Sequence, residues 1–244
     1  MIVAEYEVDK IPLCNRMMFV SLLKKALCDY DENLYKQLYE YKDGKKNKKT
    51  KDFAFTTFKQ DYKVDAKNSE INLSAVTLKL SSPNKALLIK MYNALVRLSE
   101  YTYKGEYTLK KKRVKIVHDG VIKNDYALFK TMSPIVVKNK DGRFLDIQDE
   151  DYLENLNYIA DKVLFNYRGF GLQRPLMFTP VSMEQVIIKE YIKGFTDVTG
   201  KENFYINSYK GAFLLRGDVT DLNDIYKLGL GFRRSEGFGM LGIA

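Results

Sequence analysis

Ile2, Ala4, Tyr6 and Val8 alternate along residues 2–8, the period of a strand buried on one face. The period then changes. Met18, Phe19, Leu22, Leu23, Ala26, Leu27 and Tyr30 fall on one face of a helix over residues 15–30, with Lys24 and Lys25 on the other. A second helical piece is expected over 33–41, and strands over 53–58 and 74–80. Ser82-Pro83 reads as the cap and first turn of a helix carrying Leu87, Leu88, Met91, Leu95 and Leu98. Strands over 112–117 and 121–126 would form a hairpin through Asp119-Gly120.

The second half follows the same order. Residues 127–138 are strand-like around Ser133-Pro134. Asp149 or Asp151 would cap a helix through Leu153, Leu156, Ala160, Val163 and Leu164. Strands follow over 185–192 and 204–215. A short helix capped by Thr220 ends at Gly229, and an apolar strand is expected over 238–243. Each half reads β-α-β-β-α-β, so the pattern predicts an α+β chain of tandem ferredoxin-like domains, residues 1–125 and 126–244. The halves share no visible residue-level repeat.

Composition narrows the function classes. The 244 residues hold 40 Lys+Arg against 31 Asp+Glu, a net charge of +9, which favours a polyanionic partner. No apolar run reaches the ~18–20 residues that span a bilayer, and the N-terminus lacks the basic-then-apolar order of a signal peptide. Two cysteines and one histidine supply neither a disulfide framework nor a His-rich metal site. A cytoplasmic protein without metal or cofactor is the expectation. Charge concentrates in residues 42–51, with six lysines, and in Lys110–Lys115. Both runs read either as solvated loops or as phosphate contacts, with nearby tyrosines as stacking surfaces for bases.

The densest motif spans Gly229–Gly242, with five glycines in fourteen residues. No Gly-Lys-Ser/Thr follows, so it is not a P-loop, and the chain ends too soon after Gly237-x-Gly239-x-x-Gly242 for a dinucleotide-binding unit. Two readings stay open. Backbone amides around Arg233-Arg234-Ser235 could form an anion nest with the arginines clamping phosphate, or the glycines could simply allow close packing.

At this motif the chain resembles the CRISPR-associated endoribonucleases that process repeat RNA, the Cas-six family. The matching residues are Gly229-Leu-Gly231, a polar stretch, and Gly237-Phe-Gly239. Three further segments resemble family strands in order and spacing: the Ser-Pro segment Phe129–Val137, the segment Gly211–Gly217, and Lys51–Thr56. The resemblance implies tandem ferredoxin-like domains with a C-terminal glycine-rich loop. It implies metal-independent cleavage of precursor CRISPR RNA, in which the ribose 2′-OH attacks the adjacent phosphate to leave a 2′,3′-cyclic phosphate and a 5′-OH.

The chain departs from the family at the usual histidine. Tyr39 occupies its place, Lys24 falls where a family tyrosine is expected, and Lys51 matches a family lysine. The resemblance therefore implies a non-histidine site of Lys24, Tyr39 and Lys51. RNA contacts would come from Lys25, Lys46, Lys48, Lys49, Gly231, Arg233, Arg234, Ser235 and Gly237. Lysine and tyrosine have unperturbed pKa values of ~10, so such a site would turn over slowly near neutral pH. Tyr39 reads equally as packing, and Lys24 and Lys25 as a solvated helix face; His118 reads as a turn or packing residue. The alternatives are a catalytically inactive repeat-RNA binder, a backbone subunit of a CRISPR interference complex, and a basic domain binding other RNA. An interference complex is also the implied recipient of the processed RNA.

Overall fold

The computed structural model describes residues 1–40, 49–190 and 204–244. The chain divides into two compact units, residues 1–119 and 120–244.

In the first unit β1 (Ile2–Glu7) lies centrally in an antiparallel sheet. Its partners are β3 (Ala54–Gln60), β6 (Ala75–Ser81), β7 (Glu100–Tyr103) and β8 (Tyr107–Ile116), in the order β3-β6-β1-β8-β7. Helices α1 (Arg16–Tyr30) and α3 (Lys85–Arg97) follow the first and third strands of the βαββαβ plan, and α2 (Glu32–Tyr39) extends the first crossover. The alternation that predicts β1 has its expected cause: Ile2, Ala4 and Tyr6 share one buried core with Phe19, Leu22 and Leu23 of α1 and with Leu78, Leu80, Met91 and Leu95. A small sheet, β2 (Lys10–Pro12), β5 (Glu70–Asn72) and β4 (Lys63–Asp65), sits beside it. Lys10 Nζ donates to Glu70 and Glu106, both at 2.9 Å, and so ties this sheet to the β7–β8 turn.

The second unit repeats the topology. Its order is β10-β11-β9-β12, built from β9 (Tyr126–Thr131), β10 (Met177–Glu190), β11 (Phe204–Arg216) and β12 (Leu241–Ile243). Helices α4 (Tyr152–Arg168) and α5 (Val219–Leu228) complete it. Phe129, Phe213, Leu156, Leu164, Leu222 and Ile225 form the core. Arg168, at the end of α4, binds Asp221 at 2.5 Å and Asp224 at 2.8 Å on α5, a largely buried ion pair.

Several local expectations are corrected. The hairpin partner of β8 is β7, through the turn at Lys104–Gly105, and Asp119-Gly120 marks the division between units. Residues 120–125 belong to the second unit, so the division falls at 119/120 rather than 125/126; Asn223 there both donates to Ile122 O and accepts from its amide. Asn84, not Ser82, caps α3, accepting from Leu87 N at 3.0 Å, because Ser82 Oγ donates instead to Asp52 O. Asp218, not Thr220, caps α5. Among the described residues no helix is long and apolar enough to cross a membrane, and no cluster of His, Cys, Asp and Glu could hold a metal ion.

Candidate functional site

The buried stripe of α1 occupies Leu22, Leu23, Ala26 and Leu27, which leaves Lys24 half-buried at its edge and Lys25 exposed. Asp31 starts α2, accepting from Leu34 N at 3.0 Å and from Lys90 Nζ at 2.8 Å. From that start the helical period sets Tyr35 and Tyr39 one turn apart, with ring centroids 5.6 Å apart, and both pack against the core. Lys51 lies just before β3, where buried Phe53 and Phe55 anchor the strand.

These three elements converge. Lys24 Nζ lies 4.7 Å from the Tyr39 ring centroid and Lys51 Nζ 5.6 Å, both within the range of a cation–π contact. Lys51 Nζ also donates to Lys49 O at 2.7 Å. The three residues assigned from family positions, separated along the chain, are thus neighbours in space. Two ammonium groups held against one aromatic ring can neutralise a crowded phosphate and protonate a leaving oxygen. Burial, with Glu40 nearby, pushes the adjacent Tyr35 phenol upward.

Sequence reading passed over Lys59. It shares the parity of Phe55 and Thr57 on β3 and pairs in register with Val76, whose side chain is buried. Burial and the Arg16 charge hold its ammonium below the ordinary lysine range. Strand parity was the available signal.

The residues assigned to RNA contact separate into several environments. Lys25 is exposed and pairs with Asp29 one turn on, at 2.8 Å. Lys49 is exposed beside the site. Lys46 and Lys48 lie outside the described residues. In the basic run of β8, Arg113 makes two bonds to Glu5, at 2.8 and 3.0 Å, and Lys112 and Lys115 lie within 4.0 Å of Glu7 and Glu5. Much of that charge is therefore matched across the sheet by β1.

The glycine-rich segment binds to the chain's own Ser-Pro segment. Phe232 N donates to Val136 O at 2.7 Å, Gly239 N to Pro134 O at 2.8 Å, and Met240 N to Ser133 Oγ at 2.9 Å. Gly231, with φ +88°, approaches so closely that a Cβ would stand 2.5 Å from Val136 O; at Gly239, φ +63°, it would stand 2.0 Å from Leu230 O. Gly237 is buried with φ +87°. The amides of Leu230, Phe232, Glu236, Gly239 and Met240 all serve internal acceptors, which removes them from an anion nest.

The arginine clamp needs the same correction. Arg234 is only 5% exposed and donates to Leu228 O at the end of α5, so its guanidinium closes a helix rather than facing RNA. Arg233 adopts a left-handed conformation, bonds Glu236 at 2.7 Å and lies over Phe204. Ser235 is half-buried. Outward from this segment stands Phe232, 39% exposed, with Lys138 Nζ 5.3 Å from its ring.

No curated protein matches the sequence. Among solved structures, one described as a RAMP protein binding different RNA substrates superposes with TM-score 0.79 at 17% identity, covering 100% of this chain and 98% of its own. A Cas6-related protein from Pyrococcus furiosus gives 0.78 at 16%, and a CRISPR associated protein Cas6 gives 0.73 at 19%, each with the same two coverages. At such identities they establish the fold, the paired ferredoxin-like plan already traced strand by strand. The family model described as CRISPR associated protein Cas6, C-terminal, matches residues 109–243, more than half of the chain. The chain belongs to the Cas6 family.

Proposed function

We propose that this protein is an endoribonuclease that cleaves precursor CRISPR RNA within its repeats, without a metal ion, at a site formed by Lys24, Tyr39 and Lys51. The observation that carries this reading is the convergence of both ammonium groups on the Tyr39 ring. In the reaction the 2′-oxygen forms a bond to phosphorus as its proton leaves to solvent. The bond from phosphorus to the 5′-oxygen breaks, and a lysine ammonium protonates that oxygen. Products are a 2′,3′-cyclic phosphate and a 5′-OH. The nucleophile belongs to the same strand, so the protein's share is alignment, charge neutralisation and the leaving-group proton. The RAMP protein of the same fold binds different RNA substrates, which accords with a nucleic-acid substrate here. Transcripts are met in the cytoplasm, and the processed RNA is suited to an interference complex.

A second reading, repeat-RNA binding without cleavage, draws on the histidine. The only one, His118, contacts Asp119 O at 2.6 Å beyond β8. Tyr39 stands in the family's histidine position, so no imidazole serves there.

Single-turnover assays on the repeat RNA of the same genome, with chelator present, separate the two. The expected result is one cut per repeat with a cyclic-phosphate end. Lys24→Ala and Lys51→Ala should each slow it by about 100-fold or more, as removal of a transition-state donor does elsewhere. Tight binding with no cut would replace the nuclease reading with the binder.

A further inference from the structure

Two ammonium groups repel, and each lysine ends a flexible four-carbon stem, so something must hold Lys24 and Lys51 together before RNA arrives. A feature common to both is the Tyr39 ring, 4.7 Å from one nitrogen and 5.6 Å from the other. The negative faces of an aromatic ring attract cations over about 6 Å. The ring is itself held in place: the Tyr35 ring meets it at a tilt of 36°, with centroids 5.6 Å apart, and both tyrosines pack on the buried core of the first unit. Lys51 is steered further by Lys49 O.

We infer that Tyr39 is a positioning residue whose aromatic ring, rather than its hydroxyl, holds the Lys24 and Lys51 ammonium groups for the scissile phosphate. The inference rests on the nuclease reading for its purpose, while its geometry can be measured without cleavage. Chemistry favours the ring. A phenol (pKa ~10) and an ammonium (pKa ~10.4) are acids of similar strength, but only the ammonium also brings positive charge to the phosphate. A hydroxyl added to two ammonium groups contributes little, whereas misplacing those groups by an ångström can cost about 100-fold.

The test compares Tyr39→Phe with Tyr39→Leu. Single-turnover rates are read beside the affinity for repeat RNA carrying a 2′-deoxy substitution at the cut, which binds without reacting. Tyr39→Phe, which keeps the ring, should slow cleavage far less than Tyr39→Leu does. Tyr39→Leu should lose about 100-fold in rate, with affinity nearly unchanged. A fall in Tyr39→Phe as deep as that of Tyr39→Leu would overturn the inference and make the hydroxyl a proton carrier. A full rate in Tyr39→Leu would overturn it as well.

A readout independent of activity is the set of ε-methylene proton shifts of Lys24 and Lys51, assigned by substituting each lysine. Ring-current shifts present in wild type and Tyr39→Phe and lost in Tyr39→Leu support the ring. Unshifted resonances in wild type overturn it. If wild type does not cleave at all, the nuclease reading falls while the shifts still decide whether the ring holds the lysines. If Tyr39→Leu fails to fold, the Tyr39→Phe rate and the wild-type shifts decide.

Discussion

Arg233 and Arg234 are adjacent in the chain and live in different environments. Arg233 sits in a left-handed turn against Glu236 and Phe204, while Arg234 is buried and completes the end of α5. A residue pair that reads as one phosphate clamp is divided by the backbone, which turns successive side chains to opposite sides. Tyr6 carries a similar lesson. It is 1% exposed, burial pushes its phenol up, and its hydroxyl has no hydrogen-bond partner among the described residues. An unsatisfied buried hydroxyl costs ~1–3 kcal/mol, so Tyr6→Phe should leave stability unchanged or raise it. Denaturant unfolding checks this, and a loss above ~1 kcal/mol would show that the hydroxyl has a favourable partner. Alternation of polar and apolar positions showed that Tyr6 points inward; it could not show that the oxygen finds nothing there.

At the scale of elements, strands and helices with strong periodicity were legible, the edge strands β3 and β10 among them, and the three- and four-residue strands of the first unit were not. The β7 strand and the β2-β5-β4 sheet are too brief for a period to emerge. Caps were ambiguous wherever several capping residues adjoin: in Ser81-Ser82-Pro83-Asn84, Ser82 is diverted to Asp52 O, a contact thirty positions distant in the chain. The glycine-rich segment was visible as a motif, but its partner was not. Its glycines let it lie against residues 133–136, two segments that the family resemblance had singled out separately. Gly239→Ala combines left-handed backbone with a Cβ 2.0 Å from a carbonyl oxygen, and should cost more than ~2 kcal/mol. Gly105→Ala is the control: φ is +72° and a Cβ there meets nothing within 4 Å, so only the ~1–2 kcal/mol of left-handed strain applies. Equal losses from the two would remove close approach as the reason for Gly239.

For the whole molecule, net charge of +9 predicts salt-sensitive RNA binding, but the structure sorts its cations. Arg113, doubly bonded to Glu5, serves the sheet; Lys51 lies at the candidate site. Plots of log affinity against log salt should keep their slope in Arg113→Ala and lose about 0.7 in Lys51→Ala, the contribution of one phosphate contact to a single strand. A slope reduced equally by both would mean that the β8 run also meets phosphate.

The sequence by itself determined the α+β class, the two βαββαβ halves and the family, because periodicity and short glycine motifs are local properties of the chain. It also pointed to Lys24, Tyr39 and Lys51, through positions in a resemblance rather than through chemistry. Only the tertiary structure decided that these three meet at one ring, that Arg234 faces inward, and that Lys112, Arg113 and Lys115 of β8 lie against acids of β1. Each of those outcomes depends on which segments pack together, and contact between distant segments leaves no period in the sequence to be read.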